Sequence, residues 1–245
     1  MNKFLISFMV GIITSFSLKG QCDIRMYDIY TPIGSAVVTF LMCESSTSTR
    51  AYWDNYIAQV YPNAVQIPTY NGYSSTRKFN CHGYAWLRVE QGIDRWIGTG
   101  WSNDIYEPEW IYVTDGSYIN VSQETFPGKV FWASGDHTAI TTEQQGWFIS
   151  KWNEYPLLKH RWNDSPYGTT NLKYYVKNCS VSGNQTVNFT NQPSVTSNTN
   201  VKSCGGINVQ NVEVKSGATL ILDAETTTKI PGGFKIEAGA GLKIQ

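Results

Sequence analysis

The chain has 245 residues, which suits one large domain or a medium domain with a small appendage. Lys plus Arg and Asp plus Glu each total 19, so the formal charge is zero and no strong field draws the protein to nucleic acid or to an anionic membrane surface. Charged residues are only 16%, against 15 Tyr, 10 Phe and 9 Trp, enough rings for an aromatic core with some to spare for a binding surface.

Residues 1–20 read as a signal peptide. Met1-Asn2-Lys3 supplies positive charge, and the apolar run FLISFMVGIITSF is too short and poorly flanked for a stable membrane span. Cleavage is expected near Gly20–Gln21. Cys22 follows closely, but Gln21 is unlike the small residue that lipidation of such a cysteine wants. No later stretch is apolar enough to span a bilayer, so the protein is expected to be exported, to the periplasm, the cell surface or the medium. In an oxidising compartment most cysteines pair. Five are present, and two local pairs offer themselves, Cys22 with Cys43 and Cys179 with Cys204. Cys81 is left over.

Taken in chain order, SAVVTFLMC (35–43) predicts a strand, bounded by Gly34 and a Ser/Thr cluster. AYWDNYIAQVY (51–61) spaces its apolar residues as a helix does, and Pro62-Asn63 stops it. A Gly/Ser/Thr-rich loop, in which Tyr73 is a candidate cleft residue, leads to KFNCHGYAW (78–86). Asn80 is a good N-cap, and the pattern predicts a helix from Cys81 to Gln91 that Gly92 ends. PGKVFWASGDHTAITT and WFISKW then read as consecutive antiparallel strands, with His137 opening one and Ser150 on the next. NEYPLLKHRWNDSPYG reads as a loop and NLKYYVK as a last strand.

Beyond Cys179 the composition changes: residues 180–245 hold no Trp, Tyr or His. VKSGATLIL (214–222) matches IEAGAGLKI (236–244) at an offset of 22, aligning Gly217 with Gly239 and Leu220 with Leu242. That period, with short strands and Gly turns, suggests a small β-solenoid, with an ordinary β-sandwich as the alternative. Residues 179–245 are therefore expected to form a β-repeat appendage for docking or self-association, without catalytic residues.

The chemistry rests on few residues. No metal site is expected, since no Cys-x-x-Cys or His-Glu-x-x-His occurs and Cys81 and His82, adjacent on a helix, diverge by about 100°. A thiol in the first turn of a helix meets the positive end of the dipole and unpaired N–H groups, which favour a nucleophilic thiolate. Of the three histidines, the same angular argument sets His82 aside as base and points to His137, with Ser150 as the group that orients it and His160 in reserve.

The motifs NCHGYAW, PGKVFWASGDHTAI and GWFISKW, in that order, resemble the NlpC-like and CHAP-like cysteine peptidases and amidases over residues 50–170. The resemblance implies an α+β, papain-like domain over residues 21–178, with a Cys-led helix packed on an antiparallel sheet. It implies Cys81 as nucleophile, His137 as base and Ser150 in the third position. It also implies amide or peptide hydrolysis through a thioester, peptide or peptidoglycan as substrate, and no cofactor. Two departures stand out: Gly128-Lys129 replaces the usual Gly-Asp, and a serine fills a place more often held by His, Asn or Gln. The competing expectation is a surface protein that binds glycan through its Trp and Tyr residues without cutting.

Overall fold

A computed structural model describes residues 22–98, 108–132, 136–167, 171–190 and 194–245. The signal peptide expected over residues 1–20 lies outside the described residues. About 40% of the described residues are strand and 15% helix. That balance corrects the expected α+β, papain-like class. The helical signals are real but short, and the aromatic residues between them feed sheets instead. The architecture is β-dominated, with several separate sheets.

β1 (Ile24–Tyr30) and β2 (Ala36–Leu41) pair antiparallel, and the Cys22–Cys43 disulfide closes the open end of this ribbon. The helix α1 (Thr47–Val60) starts four residues earlier than its apolar spacing predicts, because Ser46 Oγ accepts from the Thr49 N–H and caps it. After β3 (Val65–Ile67) comes the helical segment 81–91. Its middle, Gly83–Arg88, is π-helical, and Gly92 ends it in the left-handed region at φ 71°. β4 (Trp96–Ile97) joins the edge of β2.

The central sheet is built from β3, β5 (Tyr118–Val121), β6 (Lys129–Trp132), β7 (His137–Thr141), β8 (Trp147–Lys151), β9 (Leu157–Arg161) and β10 (Leu172–Lys177). Its order is β3-β9-β8-β7-β6-β10-β5, and every neighbouring pair is antiparallel. β9 corrects the loop expected there. Pro156 and the basic residues around it suggest a loop, yet Leu157, Leu158 and His160 are buried between β8 and β3.

Residues opposite each other in a sheet share a face. The pairs Trp132–His137, Val130–Ala139, Phe148–His160 and Ser150–Leu158 therefore lie on one side. Phe131, Thr138, Ile140, Ile149 and Leu157 lie on the other. The 81–91 segment covers the second side. Ala85, Trp86 and Leu87 pack with Phe131, Tyr118 and Tyr175, while Tyr84 and Phe79 pack with Leu157 and Ile149. The first side is covered by Tyr167, Leu172 and Tyr174.

The C-terminal strands β11 (Val187–Phe189), β12 (Ser194–Val195), β13 (Thr199–Ser203), β14 (Ile207–Val209), β15 (Glu213–Val214), β16 (Thr219–Ala224), β17 (Thr228–Lys229), β18 (Lys235–Ile236) and β19 (Gly241–Ile244) form three three-stranded parallel sheets. Their orders are β11-β14-β17, β12-β15-β18 and β13-β16-β19. Three separate sheets surround one apolar core, Val201, Val209, Val214, Leu220 and Leu222 among it. The repeated leucines meet in register, Leu220 beside Leu242. The Cys179–Cys204 disulfide and the bonds from Phe126 N to Asn200 O and from Lys202 N to Phe126 O tie this region to the central one. Among the described residues no helix is long and apolar enough to cross a membrane.

Candidate active site

Cys81 is the cysteine outside the two disulfides, and it is buried. Its place is set by Asn80. The Asn80 Oδ1 accepts from Gly83 N–H at 2.9 Å, as an N-cap does, and also from Ile97 N–H at 3.2 Å, while its Nδ2 donates to Ile97 O at 2.8 Å. One side chain thus caps the helix and pins its start to β4. Gly83 completes the close approach, since a Cβ there would stand 1.8 Å from the Arg95 carbonyl oxygen.

The histidine beside the thiol is His82, its neighbour in the chain. His82 Nδ1 lies 2.7 Å from Thr138 Oγ1, and Nε2 lies 3.3 Å from Asp136 Oδ1. Burial alone would depress this imidazole. Cys81, Asp136 and Glu109 outweigh it and hold the ring well above its ordinary value. Asp136 is correspondingly pulled down, mainly by its bond to His82.

His137 is fully buried on the face of the sheet turned away from the Cys81 helix. It stacks on Tyr167 with centroids 3.6 Å apart and planes at 9°. Neither ring nitrogen has a hydrogen-bond partner among the described residues. Burial first, then the neighbouring His160 and His82, push it well below the usual imidazole value, so it is neutral.

Ser150 shares that face with His137 but bonds elsewhere. Its Oγ lies 2.8 Å from His160 Nε2 and accepts from Trp152 Nε1 at 2.9 Å. His160 Nδ1 faces the Arg161 carbonyl at 2.8 Å, and a carbonyl only accepts, so Nδ1 carries the proton. Burial lowers His160 to about 4, and the neutral ring accepts the serine hydroxyl at Nε2. The expected residues therefore fall into two groups, Cys81 with His82 on one face and His137 beside a Trp152–Ser150–His160 chain on the other. Tyr167 stacks on His137, and burial first, then the charges of Cys81 and Asp136, raise its phenol.

Sequence reasoning missed Asp136 and Glu109. Asp136 carried one signal, its place directly before a strand-initial histidine. Glu109 carried none, because only tertiary packing brings it to His82. No family model, curated protein or solved structure matches the chain.

Proposed function

We propose that the chain is an exported cysteine hydrolase that cleaves amide or peptide bonds, with cell-wall peptidoglycan as the substrate class. The observation that carries this reading is the free, buried thiol of Cys81 at a capped helix start, next in the chain to an imidazole that Thr138 and Asp136 hold on either side. The Cys81 sulfur attacks the amide carbon with its proton already held on His82, whose raised basicity Asp136 supports. The first-turn N–H groups of the helix stabilise the oxyanion. The C–N bond breaks as His82 returns that proton to the departing amine, leaving a thioester. Water adds to the thioester while giving a proton to His82. Collapse then frees the acid and returns that proton to the Cys81 sulfur. The parallel C-terminal sheets serve docking or self-association.

A second reading makes His137 the base. Its neutral state and its unbonded nitrogens among the described residues favour it, because an acceptor must hold a free lone pair.

The test is digestion of purified peptidoglycan, with new amino and carboxyl ends identified by mass spectrometry. Cys81→Ala abolishes product, and undiminished product from that variant refutes the nucleophile. Loss in His82→Ala with retention in His137→Ala selects the first reading, and the reverse selects the second. Binding without any cleavage by the wild-type protein supports the glycan-binding alternative, for which the exposed, stacked Tyr52 and Tyr56 are the nearest candidates.

A further inference from the structure

We propose that His82, Asp136 and Glu109 form a binding site for a zinc-class divalent cation, and that occupancy switches off the hydrolase. The second half rests on the reading of Cys81 and His82 given above.

One ligand atom from each residue, a ring nitrogen and two carboxylate oxygens, lies within 4.8 Å of the other two. The separation of His82 Nε2 from Asp136 Oδ1, 3.3 Å, is close to the edge of a tetrahedron with metal–ligand bonds of about 2.1 Å, which is roughly 3.4 Å. Asp136 is 62% accessible, so its carboxylate can adjust to an ion held by His82 and Glu109. His82 and Glu109 are both 4% exposed, so the ion would sit in a pocket with one open side.

Thr138 supplies the outer support that a ligating histidine needs. Its hydroxyl lies 2.7 Å from Nδ1, on the ring edge turned from the carboxylates, and Nε2 gives up the proton it shares with Asp136 when an ion takes that place. One neutral imidazole and two carboxylates suit zinc, which takes N and O donors in fours and leaves the last place to water. Two carboxylates cancel the charge of the ion. The three ligands come from the start of the Cys81 helix, the turn before β7 and the short 3₁₀ turn Pro108–Trp110. An ion would therefore also lock these segments together.

A nitrogen that holds zinc cannot carry a proton for Cys81. Binding at His82 thus removes the partner of the thiol, and the metal acts as an inhibitor rather than a cofactor.

The experiment is zinc titration of the disulfide-intact chain by calorimetry and by competition with a chromophoric chelator. It is run first in Cys81→Ala, where the thiol contributes nothing. One saturable site is expected there. Asp136→Asn, at an exposed position that leaves the fold intact, is expected to weaken it about 100-fold, and Thr138→Val about tenfold. No saturable binding, or binding that survives both Asp136→Asn and His82→Gln unchanged, overturns the site. In wild type, one equivalent of zinc is expected to stop peptidoglycan cleavage, and chelator to restore it. Cleavage unaffected by saturating zinc overturns the inhibition. Zinc binding in a protein that never cleaves leaves the site standing and refutes the hydrolase reading instead.

Discussion

Glu90 stands near the end of the Cys81 helix and holds two lysines, Lys129 at the start of β6 and Lys177 at the end of β10. Lys129 Nζ lies 2.5 Å from Glu90 Oε1, and Lys177 Nζ contacts Oε2. Burial would raise this carboxyl, but the two ammonium groups overcome it and bring it from 4.5 down to about 2. At about 1.36 kcal/mol per pH unit, that displacement corresponds to about 3 kcal/mol in favour of the ionised form. The partner tells the opposite story, since Lys129 is lowered because burial costs it more than Glu90 returns. The pair as a whole is therefore worth less than the carboxyl's displacement. Removing one member is the sharper perturbation, because it strands a buried ammonium. Glu90→Gln keeps the shape and is expected to lower unfolding stability at pH 7 by about 3 kcal/mol, read from urea transitions followed by tryptophan fluorescence. Adding Lys129→Met is expected to recover most of the loss.

The pH dependence follows from the direction of the displacement. A carboxyl lowered in the folded state contributes fully above its unfolded value of 4.5, and the contribution disappears as pH falls toward about 2. Wild type is thus expected to lose stability relative to Glu90→Gln between those values. A variant within about 1 kcal/mol of wild type at pH 7, the range of exposed ion pairs, refutes the reasoning. Parallel stability profiles through the acid range do so as well.

Gly83→Ala forces a Cβ against the Arg95 carbonyl and is expected to cost several kcal/mol or prevent folding, visible as loss of the cooperative thermal transition. Asn80→Ala removes the cap of the Cys81 helix and leaves the Ile97 backbone groups without their partner, with an expected loss of about 2–4 kcal/mol in chemical denaturation. Replacing Cys179 and Cys204 together by serine opens a link between residues 25 apart and is expected to cost about 2–4 kcal/mol, measured against disulfide-intact wild type. Ser150→Ala leaves the buried Trp152 Nε1 and His160 Nε2 without the hydroxyl between them, an expected loss of about 1–3 kcal/mol by thermal melting.

Much of the local structure was legible in the residues. The two disulfides join the cysteines nearest in sequence, because a short loop brings its ends together readily. Asn80 caps the helix that its sequence position announces, and Gly92 ends it. The offset of 22 between the two leucine-bearing repeats reappears as the parallel pairing of Leu220 with Leu242. Each of these is a matter of a few neighbouring residues or of a simple period. The strand at Leu157–Arg161 was not legible, because two flanking strands and not its own composition make it one.

The sequence by itself determined where the free thiol stands and which residue starts its helix. It also determined which chemistry that pairing allows. Only the tertiary structure decided which groups surround each imidazole. Side chains alternate along a strand, so the register of β7 against β6 turns Thr138 toward His82 and His137 toward Tyr167. A shift of one residue would exchange them. Register is set by the burial of a whole sheet face, a sum over strands from Val65 to Lys177 that no local motif contains. The same sum brings Glu109 and Asp136 to one imidazole, from positions 27 and 54 residues further along the chain.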